Sequence, residues 1–96
     1  MSALSPQAAT VSRVATSTTT AALFAASGAT LGGRTVYNES SAVLYVKLGA
    51  TASSTDYTVQ VAAGGYYELP NAPRAYGGVV HGILASGTGN AQCTSW

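Results

Sequence analysis

Short runs of β-branched and aromatic residues, broken by turn residues about every 8–12 positions, restrict this chain to an all-β fold. The clearest run is "AVLYVKLG", Ala42 to Gly49. Side chains alternate across a strand, so Leu44, Val46 and Leu48 form one wholly apolar face that should meet the core, while Val43, Tyr45 and Lys47 face outward. "YTVQVAA" (Tyr57 to Ala63) alternates in the same way, with Tyr57, Val59 and Val61 expected inward and Thr58 and Gln60 outward. Gly64-Gly65 reads as a hairpin-type turn. "YYELP" (Tyr66 to Pro70) is then a short strand stopped by proline.

The flanks extend the pattern. "ATVSRVA" (Ala9 to Ala15) is a first strand. Thr19 to Ala25 is a second, although its "AALFAA" run also has the helix propensity of a short helical turn. "SGATLGG" (Ser27 to Gly33) is a loop, Arg34 to Tyr37 a strand, and Asn38 to Ser41 a turn whose side chains can bond their own backbone. "NAPRAYGG" is a loop. "VVHGILA" (Val79 to Ala85) is a strand whose Gly82 signals a bulge or a close backbone neighbour. "SGTGN" turns the chain into a last strand, Ala91 to Trp96. No βαβ rhythm occurs. The expected fold is a small antiparallel β-sandwich or barrel of about eight short strands, with Greek-key or jelly-roll connections fitting equally. The 96 residues make one domain, read as 12–96, preceded by an extended arm over 1–11.

Charge is sparse. Arg13, Arg34, Lys47, Arg74, Glu39, Asp56 and Glu68 make up 7% of the chain, against about 25% in average domains. Such a surface suits a protein packed against neighbours, or a small domain kept soluble by hydroxyls. A net charge of +1 offers no electrostatic footprint for nucleic acid. No run of about 18 apolar residues suggests a membrane span, and Met1-Ser2-Ala3-Leu4 lacks the features of a secretory signal, so synthesis in a cytoplasm is expected. Asn38-Glu39-Ser40 then matches the glycosylation pattern by chance. Cys93 and His81 are single representatives of their types, which excludes an intrachain disulfide and a structural zinc site; Cys93 reads as a small buried hydrophobe.

Candidate chemistry is thin. Glu39, Asp56 and Glu68 are the only acids, and turn acids are ordinarily solvated. His81, Asp56 and a serine would make a triad on paper, yet no nucleophile elbow is present. The glycine-rich stretches lack the strand-to-helix context and lysine of a phosphate loop. No cofactor and no metal is expected. The six tyrosines can serve as a stacking surface for sugars or single strands, or divide between core and protein interfaces, where tyrosine is enriched. Tyr66 and Tyr67 are adjacent, so one faces in and the other out.

Several motifs run together from about Ala21 to Asn90: "RTVYNES", "LYVKLG", "TVQV", "AGGYYELP" and "YGGVVHGI". In this order they resemble small proteins encoded among the structural genes of tailed bacteriophages. The chain departs from that family at its end, where Cys93-Thr94-Ser95-Trp96 stands in place of a frequent acidic tail. The resemblance implies a non-enzymatic virion protein, made in the host bacterial cytoplasm. It would be a capsid decoration (cement) protein or a tail or tail-fibre component. Its partners would be the major capsid protein or other virion subunits, with self-association into a trimer or another symmetric oligomer. Leu4, Pro6 and Val11 in the arm, with Tyr66, Tyr67, Tyr76 and Trp96, are the candidate contact residues. A carbohydrate-binding module is the competing reading; it requires two or three aromatics on one exposed face beside polar groups. A small hydrolase would require His81 close to Asp56 or a serine.

Overall fold

A computed structural model describes residues 9–27, 32–71 and 76–96. Most of the arm, with Leu4 and Pro6, lies outside the described residues, as do the middle of the Ser27–Gly33 loop and Arg74. Eight strands follow one another: β1 (Thr10–Ser17), β2 (Ala21–Phe24), β3 (Arg34–Asn38), β4 (Leu44–Lys47), β5 (Val59–Val61), β6 (Tyr66–Glu68), β7 (Val80–Leu84) and β8 (Thr88–Ser95). They form two four-stranded antiparallel sheets, ordered β1-β8-β3-β6 and β2-β7-β4-β5.

The order has a simple logic. β1 pairs with β8, β2 with β7, β3 with β6 and β4 with β5, as in one long hairpin folded at the β4–β5 loop. Rolling that hairpin up brings β8 against β3 and β7 against β4. This is the pairing of a jelly roll. Every connection except β4–β5 passes from one sheet to the other.

Both sheets turn alternate residues inward. Val36, Ala91 and Cys93 from one sheet meet Leu23, Leu44, Val46, Val61, Val80 and Leu84 from the other. Each fully buried Val or Leu contributes about 1.5–3 kcal/mol. Leu48 and Tyr67 close the margins. Gly82 is needed within β7 because a Cβ there would come within 2.8 Å of the Leu23 side chain. The bulge that this glycine suggested lies across the ladder, in β2 between Ala22 and Phe24.

Two buried polar side chains staple β3 to the opposite sheet, one at each end. The Asn38 amide donates to the carbonyls of Ala42 (2.8 Å), Val61 (2.9 Å) and Ala62 (3.2 Å). Its oxygen accepts from the Ser40 N–H (3.0 Å) and hydroxyl (2.7 Å). At the other end, the buried Arg34 guanidinium donates to the carbonyls of Gly78 (2.8 Å) and Ala25 (2.9 Å) and lies 4.8 Å from the Phe24 ring centroid. Burial lowers the Arg34 pKa from its ordinary value, with Tyr76 acting in the opposite sense; the group still stays cationic.

Four local expectations are corrected. Val11 belongs to β1 and not to the arm, because Thr10 already pairs with Ser95 and Val11 with Thr94. Gly64-Gly65 does not close a hairpin, since β5 and β6 lie in different sheets. Gly64, at φ 76°, lets the chain change sheets, and the turn is pinned to Asn38 by backbone bonds in both directions. β8 begins at Thr88 because the turn is tight around Gly87 (φ 70°), leaving Thr88 to pair with Ser17. Tyr57 points outward, where its ring packs 4.8 Å from that of Tyr45.

Candidate functional site

The outer face of the β1-β8-β3-β6 sheet is the most exposed apolar and aromatic surface among the described residues. Register explains its layout. Arg13 lies opposite Gln92, Gln92 opposite Tyr37, and Tyr37 opposite Tyr66, so one row crosses all four strands. At the usual strand spacing it spans roughly 14 Å. The neighbouring row is Val11, Thr94, Thr35 and Glu68. Tyr66 is 71% exposed, Tyr37 44% and Val11 60%. Their inward neighbours Val36 and Tyr67 hold the backbone beneath them.

Three polar side chains on this face, Arg13, Gln92 and Glu39, are committed to one another. Glu39 Oε1 accepts from Arg13 Nε at 3.0 Å and from Gln92 Nε2 at 3.3 Å. This ion pair is open to solvent and adds little to stability, but it neutralises the charge beside the tyrosines. The outcome is a row without net charge that bears two aromatic rings, with Glu68 as the acid of the row beside it.

The other sheet carries Lys47 and His81, with Asp56 in its β4–β5 loop. Lys47 Nζ donates to Asp56 Oδ2 at 2.6 Å. Its ladder neighbour His81 has Nδ1 3.1 Å from Thr20 Oγ1, which also accepts the Ala52 N–H at 3.0 Å. The Thr20 hydroxyl thus joins the Ala52 backbone to the His81 ring. Thr51 adopts φ 62°, a strained value for a β-branched residue, within the loop that carries these contacts. His81 is therefore bonded to a threonine, and the Asp56 carboxylate to a lysine. Among the described residues, no group of three or more His, Cys, Asp or Glu is arranged to hold a metal. No helix among them is long and apolar enough to cross a membrane. Cys93 is buried under the sheet, and loss of solvent pushes its thiol up to about 11.

The candidate contact residues fall in different settings. Val11 and Tyr66 share the exposed face. Tyr67 is half-buried against the core, and burial raises its phenol pKa. Tyr76 also packs on the core and donates its hydroxyl to the Val79 carbonyl at 3.0 Å. Trp96 is 37% exposed, and its ring rests on Gly32 and Gly33, where a Cβ on Gly33 would come within 2.7 Å. Its backbone continues the ladder, donating to the Gly33 carbonyl at 3.1 Å and accepting from Gly32 at 2.6 Å. Tyr37, Gln92, Arg13 and Glu39 join this face without having been singled out for it. The alternation of Tyr37 with Val36 signals an outward ring, but its place beside Tyr66 requires the β3–β6 pairing.

Comparison with protein-family models, with curated proteins and with solved structures returned no match to this chain.

Proposed function

We propose that this chain is a non-enzymatic virion structural protein of a tailed bacteriophage. In this reading it is a capsid decoration protein that binds the shell through the outer face of the β1-β8-β3-β6 sheet. The observation that carries the reading is the row of Tyr37 and Tyr66, set side by side on an open sheet face whose one basic group is already neutralised. Tyrosine supplies large contact area at little conformational cost and is enriched in protein interfaces. A low-charge strip of this kind suits a protein surface better than a phosphate backbone. The resemblance of the motifs from Ala21 to Asn90 supplies the virion context. Many copies on a lattice add weak contacts by avidity. The fold does not choose among functions, since jelly rolls serve both capsid and lectin domains.

Co-sedimentation with empty phage heads tests the reading. Saturable binding at a fixed copy number per capsomer, lost in Tyr37→Ala and Tyr66→Ala, is the expected result. No head binding by the folded wild-type protein overturns decoration and moves the assignment to the tail or tail fibre. One observation favours a second reading, a carbohydrate-binding module. The two tyrosines stand beside Thr35, Thr94 and Glu68 of the neighbouring row, which offer the polar contacts that a sugar ring needs. Retardation of the monomeric protein in polysaccharide-containing gels, abolished by the same substitutions, would select it.

A further inference from the structure

The two sheets expose four edge strands, and three of them are blunted against pairing. β5 and β6 have three residues each, and β6 runs directly into Leu69-Pro70. β2 has four residues and a register shift. Short, bulged or proline-ended edges resist the addition of another strand. β1 has none of these devices. It runs straight for eight residues against β8, without a register shift. Among the described residues no backbone group of β1 bonds on its other side. Its one charge, Arg13, is paired with Glu39.

Exposure along β1 is uneven. Thr10, Val11, Ser12 and Arg13 are all exposed, whereas Thr16 is buried. Ser12 lies opposite the buried Cys93, so its side chain belongs to the inner face, yet it is uncovered. The first half of the strand therefore lacks a neighbour that the second half has.

We propose that two copies of the chain pair through β1, antiparallel about a two-fold axis at Ser12, and so join their β1-β8-β3-β6 sheets into one continuous sheet. Face-matching limits the register to one centred on a residue, and centring on Val11 would pair only residues 9–13 among the described residues. A two-fold perpendicular to the sheet must centre on a residue. Centring on Arg13 sets two guanidinium groups directly opposite each other, which is unfavourable. Centring on Val14 draws in the covered Thr16 end. Centring on Ser12 places Val11 of each copy against the aliphatic stem of the other copy's Arg13, and leaves both Arg13–Glu39 pairs in place. The pairing deepens the reading above, because it sets two tyrosine rows on one continuous face; it is tested on the purified protein alone, and head binding is scored separately.

The experiment combines light scattering with cysteine cross-linking. Ser12→Cys, made in a Cys93→Ala background because Cys93 lies directly opposite Ser12 in the same chain, puts the two new thiols on the axis. Antiparallel partners have Cα atoms about 4.5–5.5 Å apart, within reach of a disulfide. Mild oxidation should convert this variant to a covalent dimer, whereas Ala15→Cys, paired with Ala9 in this register, should not self-link. Val11→Lys opposes Arg13 with a like charge and should weaken the dimer at least about tenfold, and Val11→Glu should tighten it. A monomeric wild-type protein across micromolar concentrations overturns the pairing. Faster cross-linking of Ala15→Cys than of Ser12→Cys overturns the register. Either result leaves the proposed shell binding open to its own test, and loss of shell binding by an intact dimer condemns only that reading.

Discussion

On the outer face of the β2-β7-β4-β5 sheet, Tyr45 packs against Tyr57 and Lys47 closes on Asp56; on that of the β1-β8-β3-β6 sheet, Tyr37 and Tyr66 stand in a row with their rings toward solvent. Both faces carry tyrosines and an ion pair. The connections between strands make the difference. Only the β4–β5 loop returns to the sheet it left, so only that loop can fold back over its own face. It supplies Tyr57, whose hydroxyl accepts from Gln60 at 2.7 Å, and Asp56 for Lys47. Among the described residues no loop folds back over the other face, and each connection from its strands leaves for the opposite sheet. Here the hairpin end closes one face, while the described residues leave Tyr37 and Tyr66 of the other exposed.

That contrast can be broken in three ways, the largest effect coming from the layer both faces share. If Tyr45 points away from the core, Leu44 and Val46 must point into it. Leu44→Ala and Val46→Ala should each cost about 1–4 kcal/mol in denaturant unfolding. Wild-type midpoints for both variants would place the tyrosines on the wrong side of the sheet.

The second test addresses the underside of the open face. Cys93 alternates with Gln92 and Thr94, and should resist thiol reagents at pH 8 while the protein is folded. Its thiol titrates near 11 when folded, against 9.0 ordinarily. Between those values the unfolded chain loses a proton that the folded chain keeps, so stability falls as pH rises from about 9 to 11. The cysteine's share of that loss is about 3 kcal/mol. Tyr67, also raised by burial, acts in the same direction. Cys93→Ala should flatten the slope of stability against pH over this window. Rapid labelling of native Cys93, or a slope unchanged by the substitution, would show that the sheet is more open than described.

The smallest effect separates the two faces directly. Tyr45→Ala and Tyr57→Ala each remove a packed aromatic pair and should cost about 1 kcal/mol. Tyr37→Ala and Tyr66→Ala should stay within about 0.5 kcal/mol of the parent, as surface substitutions do. Equal losses on both faces would mean that the exposed row is held by contacts of its own and is not free for a partner.

Much of this architecture was legible in local patterning. Alternation, strand propensity and turn signals together located the eight strands, and alternation assigned Leu44, Val46 and Val61 to the core and Lys47 to the outside. It failed for Tyr57 because that residue precedes β5 and follows its loop, where the two-residue period no longer applies. It misread Gly64-Gly65 because a tight turn looks the same whether the next strand pairs with the last or departs to another sheet. Neither Asn38 nor Arg34 announced its burial. Each is polar and flanks a turn or loop, and only the sheet opposite supplies the carbonyls that compensate it. The candidate face was half legible: Tyr66 and Val11 were singled out, while Tyr37 entered through its pairing with Tyr66.

The sequence by itself determined an all-β chain of about eight strands, the apolar inward face of β4, and few charges. These follow from side-chain alternation and turn chemistry, which act over a few neighbouring positions. Tertiary structure alone decided that β1 pairs with β8, that β3 is stapled at both ends, and that one face is closed while the other stays open. Those outcomes depend on contacts between residues far apart in the chain, where no local period carries information.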